Sequence, residues 1–329
     1  MLGPGGLAVS TVRAAGLAVA RPLLRAAVER GRGRRVVNAV HRALPLRQKR
    51  RFFHYFGAEP IRFDGTWTVD VAGRALRLPM RRNFPLAWIA ALAFHGYDVE
   101  LHDFYEGLLA SPRRPRVMVD VGAHYGLHAL KFLAHGVRAV AVEPHPLCQE
   151  YFRDACALNG FPREAHAVVL GDDPGEGELA VPGEETYRAT TSAHVRSRWP
   201  EGTPVTALRV RRTTLDALVA AHDLQPGLVK IDTEGAELAV LRGARTTLAT
   251  ARPLVVLESW PEEEARAALF ALLHDADYEV QPLLFPFREL PALDAPAFAA
   301  SPAMNFLARP RQAGRGARQA AAKLSSSSV

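Results

Sequence analysis

The residues of this 329-residue chain best placed to do chemistry are carboxylates at the ends of short apolar runs. Asp120 lies in Val117-Met118-Val119-Asp120-Val121, two residues before Gly122. Glu143 closes the run Ala139 to Val142. Asp232 and Glu234 follow Leu228-Val229-Lys230-Ile231, and Glu258 ends Pro253 to Leu257. An acid at a strand tip can accept the hydrogen bonds of a ribose diol or take a proton from a hydroxyl. Gly122 and Gly126 bracket a turn, and Leu127 to Leu133 continues at helical spacing. Strand, glycine turn and helix together let backbone approach a ligand at a helix N-terminus.

The turn points to a nucleoside but not to a dinucleotide. A pyrophosphate cradle needs Gly-x-Gly-x-x-Gly, and here His124 stands at the middle glycine. Asp120 would repel phosphate with no lysine nearby to compensate, whereas the amino group and sulfonium of S-adenosylmethionine (SAM) suit it. Asp120 is therefore expected by the methionine end, and Glu143 at the ribose hydroxyls. Asp172, after the third strand, is expected at the adenine amine, with Asp173 as its rival. An NAD-dependent oxidoreductase is disfavoured by His124.

Lys230, Asp232 and Glu234 form the expected catalytic group. Strand alternation puts Lys230 and Asp232 on one side, so a plain ion pair is the competing reading. In the catalytic reading Asp232 or Glu234 is the base or orients the acceptor, and Lys230 lowers the neighbouring pKa. Several acids around one crevice can hold a divalent ion, but the spacing establishes no metal site and none is expected. His124 and His128, one helical turn apart, read as packing; His194 is a candidate base on location alone.

Composition narrows the class. The net charge is +7, yet residues 1–51 carry +11 and residues 309–329 carry +5, leaving −9 on residues 52–308. A nucleic-acid enzyme concentrates positive charge beside its site, so a nucleic-acid methyltransferase is a minor reading. No (Asp/Asn)-Pro-Pro-aromatic run follows the fourth strand, and no Gly-x-Ser-x-Gly occurs. No apolar run reaches the roughly 20 residues of a membrane span. Cys148 and Cys156 are about 12 Å apart along one helix and too far to bridge, which fits a cytoplasmic protein.

These residues need elements to hold them. Residues 1–51 read as a basic extension, partly helical or disordered, with a surface helix near anionic lipid or an acidic partner as an option. Residues 52–110 read as a small α+β cap: a hairpin around Ala72-Gly73-Arg74, then helices at Phe84 to Phe94 and Val99 to Leu109. From 111 to 308 strands and helices alternate as in a doubly wound sheet. Its helix Pro146 to Asn159 stops at Gly160, Thr214 caps Leu215 to His222, and one helix runs from Ala236 to Leu248. Residues 173–205 form an irregular excursion where substrate contacts are expected. Residues 309–329 read as a disordered basic tail.

Asp120-Val121-Gly122-Ala123-His124-Tyr125-Gly126, Val142-Glu143-Pro144, Asn159, Thr214-Leu215-Asp216, Lys230-Ile231-Asp232-Thr233-Glu234-Gly235-Ala236-Glu237, Leu241-Arg242-Gly243-Ala244 and Glu258 resemble the FkbM family of SAM-dependent methyltransferases, from about residue 97 to 308. His124 and His145 stand where that family commonly carries Asn. The resemblance implies a class I methyltransferase (Rossmann-like) fold, a doubly wound sheet to which the pattern of residues 52–110 adds a small N-terminal hairpin/helix cap. It implies SAM held by Asp120, Gly122, Ala123, His124, Gly126, Glu143, Pro144 and Asp172. It further implies O-methylation of a hydroxyl on a sugar, glycan or secondary metabolite. A catalytically silent scaffold on the same fold is the alternative, and intact Asp120, Glu143 and Asp232 speak against it.

Overall fold

The hydrophobic strand segments collect into one sheet whose two faces are separated by the alternation of side chains. A computed structural model describes residues 19–261 and 265–311. The seven strands are β3 (Val117–Val121), β4 (Arg138–Val142), β5 (Glu164–His166), β9 (Leu228–Ile231), β10 (Leu254–Glu258), β11 (Tyr278–Pro282) and β12 (Asn305–Pro310). They lie in the order β5-β4-β3-β9-β10-β12-β11. The first five run parallel, and β12 is antiparallel to both its neighbours. The chain reverses direction across the sheet between β3 and β9, and that switch point opens a crevice at the strands' carboxyl ends.

Every residue of β3 is buried, as a strand covered on both faces must be. Met118, Ala139, Ala141 and Leu228 face one core, with α6 (Leu127–Ala134) and α7 (Pro146–Asn159). Val119, Val121, Val140, Val142, Val229 and Ile231 face the other. That second core holds α9 (Leu215–Ala221), α10 (Glu237–Arg242), α11 (Arg245–Thr250) and α12 (Ala265–Asp275). Period-two alternation thus puts Asp120 and Lys230 on the α6 face.

The expected helix over 236–248 is two helices, α10 and α11, broken at Gly243-Ala244. A Cβ on Gly243 would stand 2.0 Å from the Gly171 carbonyl oxygen, and the Gly243 carbonyl accepts from Asp216 N–H at 2.9 Å. The Asp216 carboxylate then accepts from Thr246 N–H, Thr247 N–H and Thr247 Oγ1 at 2.7–2.8 Å, capping α11. The third strand also divides. β5 stays in the main sheet, while β6 (Val168–Leu170) leaves it to join β8 (Val205–Thr213) and β7 (Gly175–Pro182). The excursion is therefore built on a three-stranded sheet.

The cap consists of the hairpin β1 (Gly65–Val71) and β2 (Arg74–Met80) with α4 (Ala87–Gly96) and α5 (Val99–Ala110). Trp67 and Trp88 meet edge to face at 5.0 Å in its core. Asn159 accepts from Arg77 N–H at 2.9 Å and donates to Arg77 O at 2.7 Å, so the end of α7 pairs with the edge of β2. Residues 19–51, read from the sequence as a basic extension that is partly helical or disordered, are helical and packed on the cap. They form α1 (19–29), α2 (Gly31–Ala43) and the start of α3 (Leu46–Phe56). Val28 and His41 are buried, Asn38 exchanges two hydrogen bonds with the Thr68 backbone, and Trp88 Nε1 donates to Phe56 O at 2.8 Å. Residues 1–18 and most of the expected tail, 312–329, lie outside the described residues; Arg309 and Pro310 belong to β12.

Candidate active site

At the crevice the turn after β3 is closed on itself. Gly122 and Ala123 N–H both donate to Val142 O (3.0 and 3.1 Å), and Gly126 N–H donates to Ala123 O at 2.7 Å. These donors are spent, so the turn offers them to no pyrophosphate. Gly122 has φ +75°, and a Cβ there would stand 1.7 Å from Asp232 O, so only glycine lets the turn lie against the next strand. The Glu143 carboxylate accepts from His124 N–H and His145 N–H, each at 2.8 Å. One oxygen serves each donor, which leaves both with a further lone pair toward the cavity. Burial raises the Glu143 pKa to about 7 against the lowering effect of those two donors.

The cavity above has a volume of about 510 Å³, within the size of small-molecule and cofactor sites. Gly122, Ala123, His124, Glu143 and Pro144 line one end, beside Val168 and Leu170. Lys230, Asp232, Glu234 and Glu258 line the other, with Tyr97 and Asp98 from the cap. Lys230 Nζ donates to Asp232 Oδ2 at 2.9 Å and lies 3.8 Å from Asp120 Oδ1. Burial opposes the charge on Lys230, yet Asp232 and Asp120 outweigh it and its pKa is raised. Burial alone would raise the Asp232 pKa. The Lys230 ammonium and hydrogen bonds from Lys230 and Glu258 reverse this and hold it below the usual carboxylate value. The ion pair expected from strand alternation is thus present, and it lies at the cavity.

The other acids keep their protons more tightly. Burial and then Asp232 push Glu258 up to about 11, Glu234 to about 8 and Asp98 to about 7. Ligand atoms of Asp232, Glu234 and Glu258 lie within 4.8 Å of one another. At neutral pH the crowding is met by protonation, Glu258 hydrogen-bonding to Asp232. A cation bound here would lower the pKa values of these acids and gain from their ionisation, whereas an anion would meet the ionised Asp232, so the cavity favours a cationic ligand.

Three expected cofactor residues stand away from this cavity. Asp120 is wholly buried beneath the turn, where Oδ2 accepts from Ala129 N–H at 3.0 Å and holds α6. Its alternation places it on the helix face of β3, so it braces Lys230 from below. Gly126 faces the Phe152 ring, 2.2 Å from where a Cβ would stand, and is a packing glycine. Asp172 is exposed because β6 leaves the main sheet before it, and its rival Asp173 pairs with Arg212 at 2.6 Å. His194 is exposed on the short helix Ala193–Arg196, outside the lining.

Both histidines of this segment line the cavity. His128 also packs on His102 and Tyr105, both ring centroids at 5.7 Å. His124 lines the cavity at φ +51°, its Nε2 2.7 Å from Thr186 Oγ1. It ties the glycine turn to the excursion, and burial, with His145 nearby, lowers its pKa to about 3. Asp98, Tyr97 and the wall Thr186 to Ala189 were not singled out from the sequence. Asp98 adopts φ +43° between two helices, two residues after Gly96 ends the first of them. Glu237, by contrast, explains the spacing of its motif: it accepts from Thr233 N–H, Thr233 Oγ1 and Gly235 N–H at 2.8–3.2 Å, shaping the loop that carries Glu234.

A five-stranded parallel sheet extended by an antiparallel β12, with a closed glycine turn and an acid at the tip of the neighbouring strand, defines a class I SAM-dependent methyltransferase fold. The free lone pairs of Glu143 and the acidic far end of the cavity fit a nucleoside joined to a cation, the chemistry of SAM. Residues 120–280 match the family model described as the methyltransferase FkbM domain. Among solved structures the chain is similar to the FkbM methyltransferase of Methylobacillus flagellatus KT, at 13% identity and TM-score 0.39. That match covers 67% of this chain and 54% of the other, so the chain spans about half of that protein's length. A SAM-dependent methyltransferase of Agrobacterium tumefaciens matches at 11% identity and TM-score 0.40, covering 75% and 70%. No curated protein matches the chain.

Proposed function

We propose that the protein transfers a methyl group from SAM to a hydroxyl of an uncharged, sugar-like or aromatic small molecule. The observation that carries this reading is the division of the cavity: a nucleoside end at Glu143 and, at the far end, carboxylates facing an apolar wall. SAM supplies an electrophilic methyl group on a sulfonium. Gly122, Ala123, His124, Glu143 and Pro144 would hold its nucleoside end, with Val168 and Leu170 as apolar surface for the base. Leu86, Ile89, Tyr97 and Trp260 line the far part of the cavity and offer flat or apolar faces to an acceptor. The two cations in the lining are committed, Lys230 to Asp232 and Arg188 to Glu185. An acceptor bearing phosphate or carboxylate would go uncompensated there, and nucleic acid is disfavoured on the same ground.

Transfer to oxygen requires loss of the hydroxyl proton. Asp232, kept ionised by Lys230, is the acceptor of that proton in this reading, and Glu234 and Asp98 orient the neighbouring hydroxyls. The cap and the excursion close over the crevice and exclude water. The buried free thiols Cys148 and Cys156 support a reducing, cytoplasmic setting.

Calorimetric titration of SAM, followed by a screen of neutral hydroxylated acceptors with labelled methyl, tests the reading. Glu143→Ala is expected to weaken SAM binding tenfold or more, about 1.4 kcal/mol. Asp232→Asn is expected to keep SAM affinity and lose about a hundredfold or more in kcat. Absence of SAM binding to the parent protein would remove the reading. Methyl recovered on nitrogen would remove its oxygen half.

A further inference from the structure

The helices ahead of the cap carry a surface that the methyl-transfer reading does not use. On α2, His41, Val37 and Asn38 face the cap, leaving the opposite side in water. That side presents Val36, Ala39, Val40 and Ala43 at helical spacing. Val36 is 64% exposed and Val40 55% exposed, high for β-branched apolar residues on a folded helix. Arg32 and Arg35 flank them, and neither has an ion-pair partner among the described residues. Just beyond, Leu46 is 48% exposed at the start of α3, whose outer side adds Arg47 and Arg51, likewise unpaired among the described residues. Other arginines of this region are spent inside the fold: Arg21 on Glu59, Arg25 on Glu29 and Arg42 on Asp70.

We propose that the outer face of α2 with the start of α3 is a docking surface for an anionic lipid bilayer, lying in the plane of the headgroups. The argument is the combination. Valines flanked by unpaired arginines suit an interface where apolar side chains enter the acyl boundary while guanidinium groups meet lipid phosphates. A polynucleotide would engage the arginines and leave the valines in water. A second copy of the chain would set arginine against arginine across a two-fold axis. Among the described residues no helix is long and apolar enough to cross a membrane, so the contact lies on the surface. Residues 19–56 hold 11 basic side chains against Glu29, whereas residues 52–308 as a whole carry −9. This asymmetry orients the molecule helices-first toward a negative surface.

The full chain is sedimented with vesicles of phosphatidylcholine alone and with about one third phosphatidylglycerol, in low and high salt. Binding is expected only to the anionic vesicles and is expected to weaken with salt. The pair Val36→Glu with Val40→Glu, and separately Arg32→Glu with Arg35→Glu, should each reduce partitioning about tenfold or more while thermal melting stays as in the parent, because these side chains are exposed. Equal binding to both vesicle types, or anionic binding that neither double variant weakens, would overturn the proposal. A parent dimer that the valine pair dissociates would assign the face to self-association instead. Polyanion binding lost only with the arginines, without vesicle binding, would assign it to nucleic acid. The readout is independent of SAM, so failure of the methyl-transfer reading leaves it standing.

Discussion

At the scale of the residue, the acid cluster makes its own predictions. Glu258 holds its proton up to about pH 11 because burial and Asp232 disfavour its charge. A carboxyl whose folded pKa is raised gives its full stabilisation below its unfolded value near 4.5 and loses it as pH climbs toward the folded value. Glu258→Gln keeps a donor for Asp232 and has no proton to lose. Its melting temperature should therefore rise relative to the parent between pH 5 and pH 9, by up to about 1.4 kcal/mol of stability per pH unit. Asp98, raised to about 7, and Glu234, raised to about 8, act in the same direction in the parent. A difference between parent and variant that stays constant across that range would show that Glu258 is ionised in the folded state. Under the proposed reaction the same cluster should leave an inflection near pH 8, about where Glu234 is expected to ionise beside Asp232. Any inflection of kcat/KM there should vanish in Glu234→Gln, and one that persists would belong to another group.

At the scale of the element, motif residues divide into those that meet the cavity and those that set where it lies. Asp216 belongs to the second kind: it caps α11 through three donors across the break at Gly243. Asp216→Ala should cost about 1–2 kcal/mol, a fall of roughly 2–4 °C in Tm, with little effect on SAM affinity. Loss of SAM binding at unchanged Tm would contradict this. The same division decides what was legible in the sequence. Strand, turn and helix around Gly122 follow from apolar periodicity and glycine spacing, and the closeness of Lys230 to Asp232 follows from alternation in one strand. The departure of β6 does not: β5 and β6 are three-residue strands either side of Ala167, and no glycine or proline within 164–170 marks the split. Asp172, which follows β6, stands outside the cavity lining for that reason. Asp98 reaches the cavity only through the packing of the cap, a long-range relation that no local pattern carries.

At the scale of the whole molecule, the cavity depends on segments far from the glycine turn. Phe53 of α3, Tyr97 and Asp98 of the cap, and Thr186 to Ala189 of the excursion all line it. Thr190 Oγ1 donates to Glu234 O at 2.6 Å, fastening the excursion to the loop that carries the acids. The basic helices are thus part of the folded body: α3 both covers Trp88 and supplies Phe53. A chain beginning at residue 57 would uncover Trp67, Trp88 and the remainder of their cluster, which is among the largest buried aromatic surface in the protein. Losing two such large apolar contacts typically costs several kcal/mol. That truncation should melt at least several degrees lower than the full chain and bind an apolar dye, while any folded fraction retains the Glu143 end of the cavity. If it melts as the full chain does, the helices are an appendage and the cap closes the cavity without them. The measurement is a pair of thermal melts with dye binding, made with and without SAM, because SAM-dependent stabilisation that survives the truncation would place the nucleoside end wholly within residues 57–329.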